Sequence, residues 1–135
     1  MKQLMFLFLF LLTFTAVLSQ QHQYGDVLYF AESYDAYGEH GVSNRFYTGP
    51  VTVMVRLAAP IYYNKVMIQL DKFNPRTNEF SYFSRQEFSV NSKDTYICFR
   101  DILFTEAGFY RVFLLSPDKN TITSGVVEIV RGYLK

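Results

Sequence analysis

Along most of the chain, apolar residues return at every second position, which is the spacing of strands and not of helices. Val51, Val53, Val55 and Leu57 alternate with Thr52, Met54 and Arg56, and Ala58-Ala59-Pro60 closes the run. Val66, Ile68 and Leu70 alternate with Met67, Gln69 and Asp71 in the same way. Both stretches predict half-buried strands, 51–57 and 65–72, with the β-branched and aliphatic set facing a core. The same reading places strands over 27–31, 96–100, 108–115 and 122–130. Residues 79–90 form one bent strand or two short ones, because the polar break Ser84-Arg85-Gln86-Glu87 marks a bulge or a switch between sheets. Asn74-Pro75-Arg76-Thr77-Asn78, Asn91-Ser92-Lys93-Asp94 and Ser116-Pro117-Asp118-Lys119-Asn120 are turns by composition. Residues 32–44, rich in Tyr, Gly, Asp and Ser, read as a long loop. About seven short strands separated by turn signals predict an all-β, two-sheet antiparallel sandwich.

The first residues follow a different rule. Lys2 precedes an apolar run, Leu4 to Leu12, and Val17-Leu18-Ser19 leads into Gln20-Gln21-His22-Gln23. This is the grammar of a secretory signal peptide, with cleavage expected after Ser19. The competing reading is a retained anchor, but the run is short against the roughly 20 residues a bilayer span needs. Cleavage leaves 135 − 19 = 116 residues, enough for one domain, 20–135, and one core. No stable membrane anchor remains after cleavage. The protein is expected in the periplasm or outside the cell.

Removing Lys2 leaves 12 basic residues of 13 against 12 acidic ones. A neutral chain lacks the positive field that nucleic-acid binding requires, so no nucleic-acid partner is expected. The charge is uneven, however. Asp26, Glu32, Asp35 and Glu39 lie in a stretch without Lys or Arg, so the remainder is basic. That acidic segment either seeks a cation or a basic partner, or folds against the basic surface of its own domain. Cys98 is the single cysteine, so no intrachain disulfide forms. Its place between Ile97 and Phe99 suits a small packed side chain better than an intermolecular bridge.

The passage from Ile97 to Tyr110 carries a resemblance. Ile97, Phe99, Ile102, Glu106, Gly108 and Tyr110 occupy, in order, the positions of an apolar-x-apolar-x-x-apolar-x-x-x-acid-x-Gly-x-Tyr pattern. It resembles the strand E to strand F passage of immunoglobulin-like domains. The resemblance implies a tyrosine corner, with the Tyr110 hydroxyl bonded to backbone a few residues upstream. Gly108 would relieve the turn and Glu106 would bond to free backbone donors in it. The chain departs from the antibody type, since Val112 stands at the second disulfide position and there is no Trp.

Candidate chemistry is sparse. No nucleophile elbow, zinc-binding His pair or phosphate-cradling Gly loop is present, and a hydrolase built on His40 with Cys98 or paired carboxylates is the only enzymatic alternative. No cofactor or metal is assigned. Two binding readings remain. If Tyr110, Val112 and Leu114 point inward, then Phe109, Arg111, Phe113 and Leu115 point outward, beside Met67. The last strand adds either Val126, Glu128 and Val130 or Val127 and Ile129 to that face. Such a row predicts a protein interface, for a partner or for self-association. The alternative is a small-ligand site for carbohydrate or calcium in the segment 24–44, built from Tyr29, Glu32, Tyr34, Asp35, Tyr37, Glu39 and His40.

Overall fold

The computed structural model describes residues 25–132, and over that span the chain is all β. The expected signal segment lies outside the described residues. Ten strands follow in order: β1 (Val27–Ala31), β2 (Ser33–Asp35), β3 (Gly38–His40), β4 (Arg45–Tyr47), β5 (Gly49–Arg56), β6 (Lys65–Asn74), β7 (Glu79–Ser89), β8 (Tyr96–Phe104), β9 (Gly108–Leu115) and β10 (Thr121–Val130). They form a three-stranded sheet, β1-β5-β8, a five-stranded sheet, β4-β10-β9-β6-β7, and the two-stranded hairpin β2-β3.

The two larger sheets share one core, as a sandwich-like fold requires. The three-stranded sheet contributes Leu28, Phe30, Val51, Val53, Val55, Ile97, Phe99, Ile102 and Phe104. The five-stranded sheet answers with Val66, Ile68, Leu70, Tyr110, Val112, Leu114, Val127 and Ile129. The alternation read in β5, β6, β9 and β10 is therefore the alternation of core-facing side chains, and in β10 Val127 and Ile129 take the inner positions. Aromatic rings tie the layers, with Tyr110 meeting Phe104 of the other sheet edge-on at 5.0 Å, while within its own sheet Tyr110 meets Phe83 at 5.4 Å.

The structure corrects several boundaries. β8 continues to Phe104 instead of ending at Arg100. Its apolar spacing, Ile97-Phe99 then Ile102-Phe104, breaks from two to three where the β5–β8 register shifts, with Asp101 at φ 57°. A bulge at Arg100-Asp101 absorbs the extra residue, so both apolar pairs face inward. Residues 79–89 are one strand, and the register shift opposite Leu70 and Asp71 leaves Phe83 as the extra residue. The bulge thus precedes the polar break Ser84–Glu87.

The largest difference lies at 32–44. The segment read as a loop contains the β2-β3 hairpin and leads into β4, which pairs parallel to β10. The hairpin lies on the face of the three-stranded sheet that points away from the core. This explains why Thr52 and Met54, expected on an open face, are buried along with Val51, Val53 and Val55.

Candidate functional site

The expected corner is formed. The Tyr110 ring is fully buried, and its hydroxyl donates to the Glu106 backbone carbonyl at 2.7 Å. Burial, with a smaller contribution from the Glu106 charge, pushes the phenol up to about 12. Gly108 adopts φ +149°, a conformation that glycine tolerates and L side chains rarely do. The Glu106 carboxylate differs from expectation: instead of bonding backbone in its own turn, it accepts from Lys72 Nζ of β6 at 2.7 Å. The corner is thereby fastened to the neighbouring strand.

Of the acidic aromatic segment, Tyr29, Tyr34 and Glu39 are drawn inward, while Glu32, Asp35, Tyr37 and His40 stay exposed. Tyr34 and Glu39 are cross-strand partners in the hairpin. Glu39 takes the Tyr29 hydroxyl at 2.6 Å and Arg56 Nη2 at 3.3 Å, and the Tyr96 hydroxyl also donates to it. The Tyr29 and Tyr96 hydroxyls, in that order, hold the Glu39 carboxyl down at about 2. The same bond keeps the Tyr96 proton well above the ordinary phenol range. Tyr34 packs edge-on against Tyr96 at 5.9 Å, and the Arg100 guanidinium lies 5.7 Å from the Tyr34 ring. Within the hairpin, Glu39 meets Arg56 and the Tyr34 ring meets Arg100 of the same domain. At the hairpin tip Asp35 accepts from the Tyr37 backbone N–H at 2.8 Å and lies 2.9 Å from His40 Nε2, while the Tyr37 ring is exposed. Glu32 is exposed beside Gly41. Among the described residues no three His, Cys, Asp or Glu side chains converge as a metal site would need. Cys98 is half-buried, and burial raises its thiol above the ordinary value.

The outward row of β9 forms one face with its neighbours. Phe109 is 49% exposed, Arg111 is exposed, and Met67 and Phe113 are half-buried. Leu115 is a correction: at 5% exposure it belongs to the buried set, between Met67 of β6 and Thr121 of β10 in register. Strand alternation alone sends it outward, but the last two residues of β9 are both covered where the strand meets the Ser116 turn. Val126, Glu128 and Val130 share the outer face: Val126 lies opposite Arg111, and Glu128 pairs with Arg45 at 3.4 Å.

Several residues of this face were not legible as such in the sequence. Phe73 and Phe80 pair across the β6-β7 hairpin with ring centres 5.3 Å apart. The Arg111 guanidinium stacks 4.8 Å from the Phe80 ring. Phe73, Pro75, Tyr82 and Phe109 line one shallow groove at this end of the sheet. A signal existed, because the turn 74–78 sets Phe73 and Phe80 at similar distances on either side of it. Taken together, the face carries aromatic rings around an arginine, flanked by exposed Val126 and Tyr47.

The chain matches no protein-family model, and no curated protein matches it at a significant level.

Proposed function

We propose that the protein is an exported immunoglobulin-like β-sandwich that serves as a binding or assembly module, and that its contact surface is the outer face of the five-stranded sheet. Three features support the immunoglobulin-like reading: the β1-β5-β8 against β4-β10-β9-β6-β7 division, the parallel β4-β10 edge and the Tyr110 corner. The signal-like segment supports export. The observation that carries the functional reading is the half-exposed Phe109 beside the Arg111–Phe80 stack. Aromatic residues and arginine are the side chains that dominate binding energy at protein interfaces, and a ring left half in water gains most from being covered.

The test is a photo-crosslinking side chain at Val126, opposite Arg111 in register, in cells that make the protein. The native face should yield a covalent adduct. Phe109→Asp in the same chain should cut its yield about tenfold, as removal of a central aromatic anchor does at protein interfaces. The melting temperature should stay within a few degrees, since the position is half in water. An unchanged adduct yield in the Asp variant rules this face out.

A further inference from the structure

β7 ends the five-stranded sheet, and among the described residues no strand lies on its outer side. Its backbone direction follows from one bond. The Val90 N–H donates to the Asn64 carbonyl at 2.9 Å. Counting back by twos, Phe88, Gln86 and Ser84 turn their N–H and C=O groups toward β6, opposite Val66, Ile68 and Leu70. Glu87 and Arg85 turn theirs toward the open edge, and their side chains stand exposed on the outer face.

Edge strands usually repel a second copy by carrying charge. Here the two edge charges have opposite signs and sit two residues apart. We propose that two copies of the chain pair edge to edge through β7, antiparallel, about a two-fold axis at Gln86. In that register Arg85 of each copy lies directly opposite Glu87 of the other, and both residues present free backbone groups to the partner. The charge pattern also rejects the alternatives. Centring the axis on Arg85 sets arginine against arginine, and centring it on Glu87 sets acid against acid. A one-residue slip opposes a backbone that faces the edge to one that faces away. The Phe83 bulge limits pairing at one end, leaving the self-complementary stretch between it and Ser89.

Both side chains are available for the contact. Arg85 donates through Nε and Nη2 to Gln69 Oε1 at 3.0 and 2.7 Å, which orients the guanidinium but gives it no acid partner among the described residues. Glu87 touches Lys65 at 3.4 Å, a contact between two exposed groups that water screens strongly. Pairing would join two five-stranded sheets into one and bring two copies of the outer face side by side.

This assembly does not rest on the Phe109 face, which lies two strands away on β9, so the two readings fail separately. The experiment is sedimentation of the protein, as processed by a cell expressing the full chain, over about a hundredfold range of concentration reaching the high micromolar, where short transient interfaces are populated. The native protein should reach dimer mass. Arg85→Glu alone, or Glu87→Arg alone, sets like charges opposite at both symmetric contacts and should weaken the dimer about tenfold or more. The double reversal, Arg85→Glu with Glu87→Arg, should restore it to within about threefold, because opposite charges again face each other. Phe109→Asp should leave it unchanged. Melting curves verify that each variant is folded. A native chain that stays monomeric overturns the proposal, as do single reversals that dimerise like the native chain or a double reversal that fails to recover.

Discussion

Tyr110 concentrates several demands in one side chain. Its ring fills the core between Phe104 and Phe83, and its hydroxyl must find a partner because the ring carries it out of water. The Glu106 carbonyl, four residues upstream, supplies that partner. Tyr110→Phe keeps the ring and removes only the bond, so it should cost about 1 kcal/mol, the net worth of a hydrogen bond exchanged for water. The measurement is the urea midpoint at constant m-value. A loss near zero would mean that the corner is held by packing alone. The raised phenol also gives a direction with pH. A tyrosine whose folded value lies above its unfolded value contributes stability below about 10, and loses it as pH rises through about 12. The alkaline limb should therefore flatten in the Phe variant. These residues were readable in advance because the corner is local: Phe104, Glu106, Gly108 and Tyr110 all lie between Ile97 and Tyr110, and only Lys72 and Phe83 come from other strands.

The β2-β3 hairpin shows what happens when the determinants are not local. Glu39 is held by Tyr29 on β1, Arg56 on β5 and Tyr96 on β8, strands brought together only by the completed sheet. Nothing in the run from Glu32 to Asn44 announces this. Tyr, Gly and Asp are turn-forming or amphipathic residues, and the strands are three residues long, too short for alternation to register. An unforeseen hairpin also hides the burial of Met54, since a residue alternating with core valines is expected in water unless something covers it. The hairpin carries few apolar side chains of its own, so its attachment should depend on the Glu39 charge. That carboxyl lies below its ordinary value, so its contribution is present above about 4.5 and is lost as pH falls through about 2. Glu39→Gln removes the titration. Between these pH values the native chain should lose stability that the Gln variant has already forfeited, and the two denaturation midpoints should converge in acid. Parallel acid profiles would show that the Tyr and Arg partners do not sense the charge.

At the scale of the molecule, the two long sides of the sandwich differ. On one, β1 and β10 approach each other closely: the Thr123 hydroxyl donates to the Asp26 carbonyl at 3.3 Å, and Gly125 lies against Leu28. On the other, the edges of β7 and β8 stand apart, bridged by the Phe88–Phe99 ring contact at 5.1 Å. The closed side explains why the sheets keep one alignment, and the open side is where further strands can add. Gly125 sets the closed distance. A Cβ there would sit 2.8 Å from the Leu28 carbonyl oxygen and 3.1 Å from its Cδ2. The first of these neighbours is backbone, which cannot swing aside as the tip of a flexible side chain can. Gly125→Ala must therefore part β1 from β10 or bend β10. Glycine-to-alanine exchange inside a strand should otherwise be neutral or favourable, because alanine costs less backbone entropy. The sign is thus diagnostic. A loss of about 1–3 kcal/mol, the usual range for overpacking, read from urea denaturation, means that the closed side is rigid and holds the two sheets in register. A neutral or stabilising result would mean that β1 yields easily, that the sandwich can open from this side as well, and that its strand edges are less unequal than the packing of Gly125 implies.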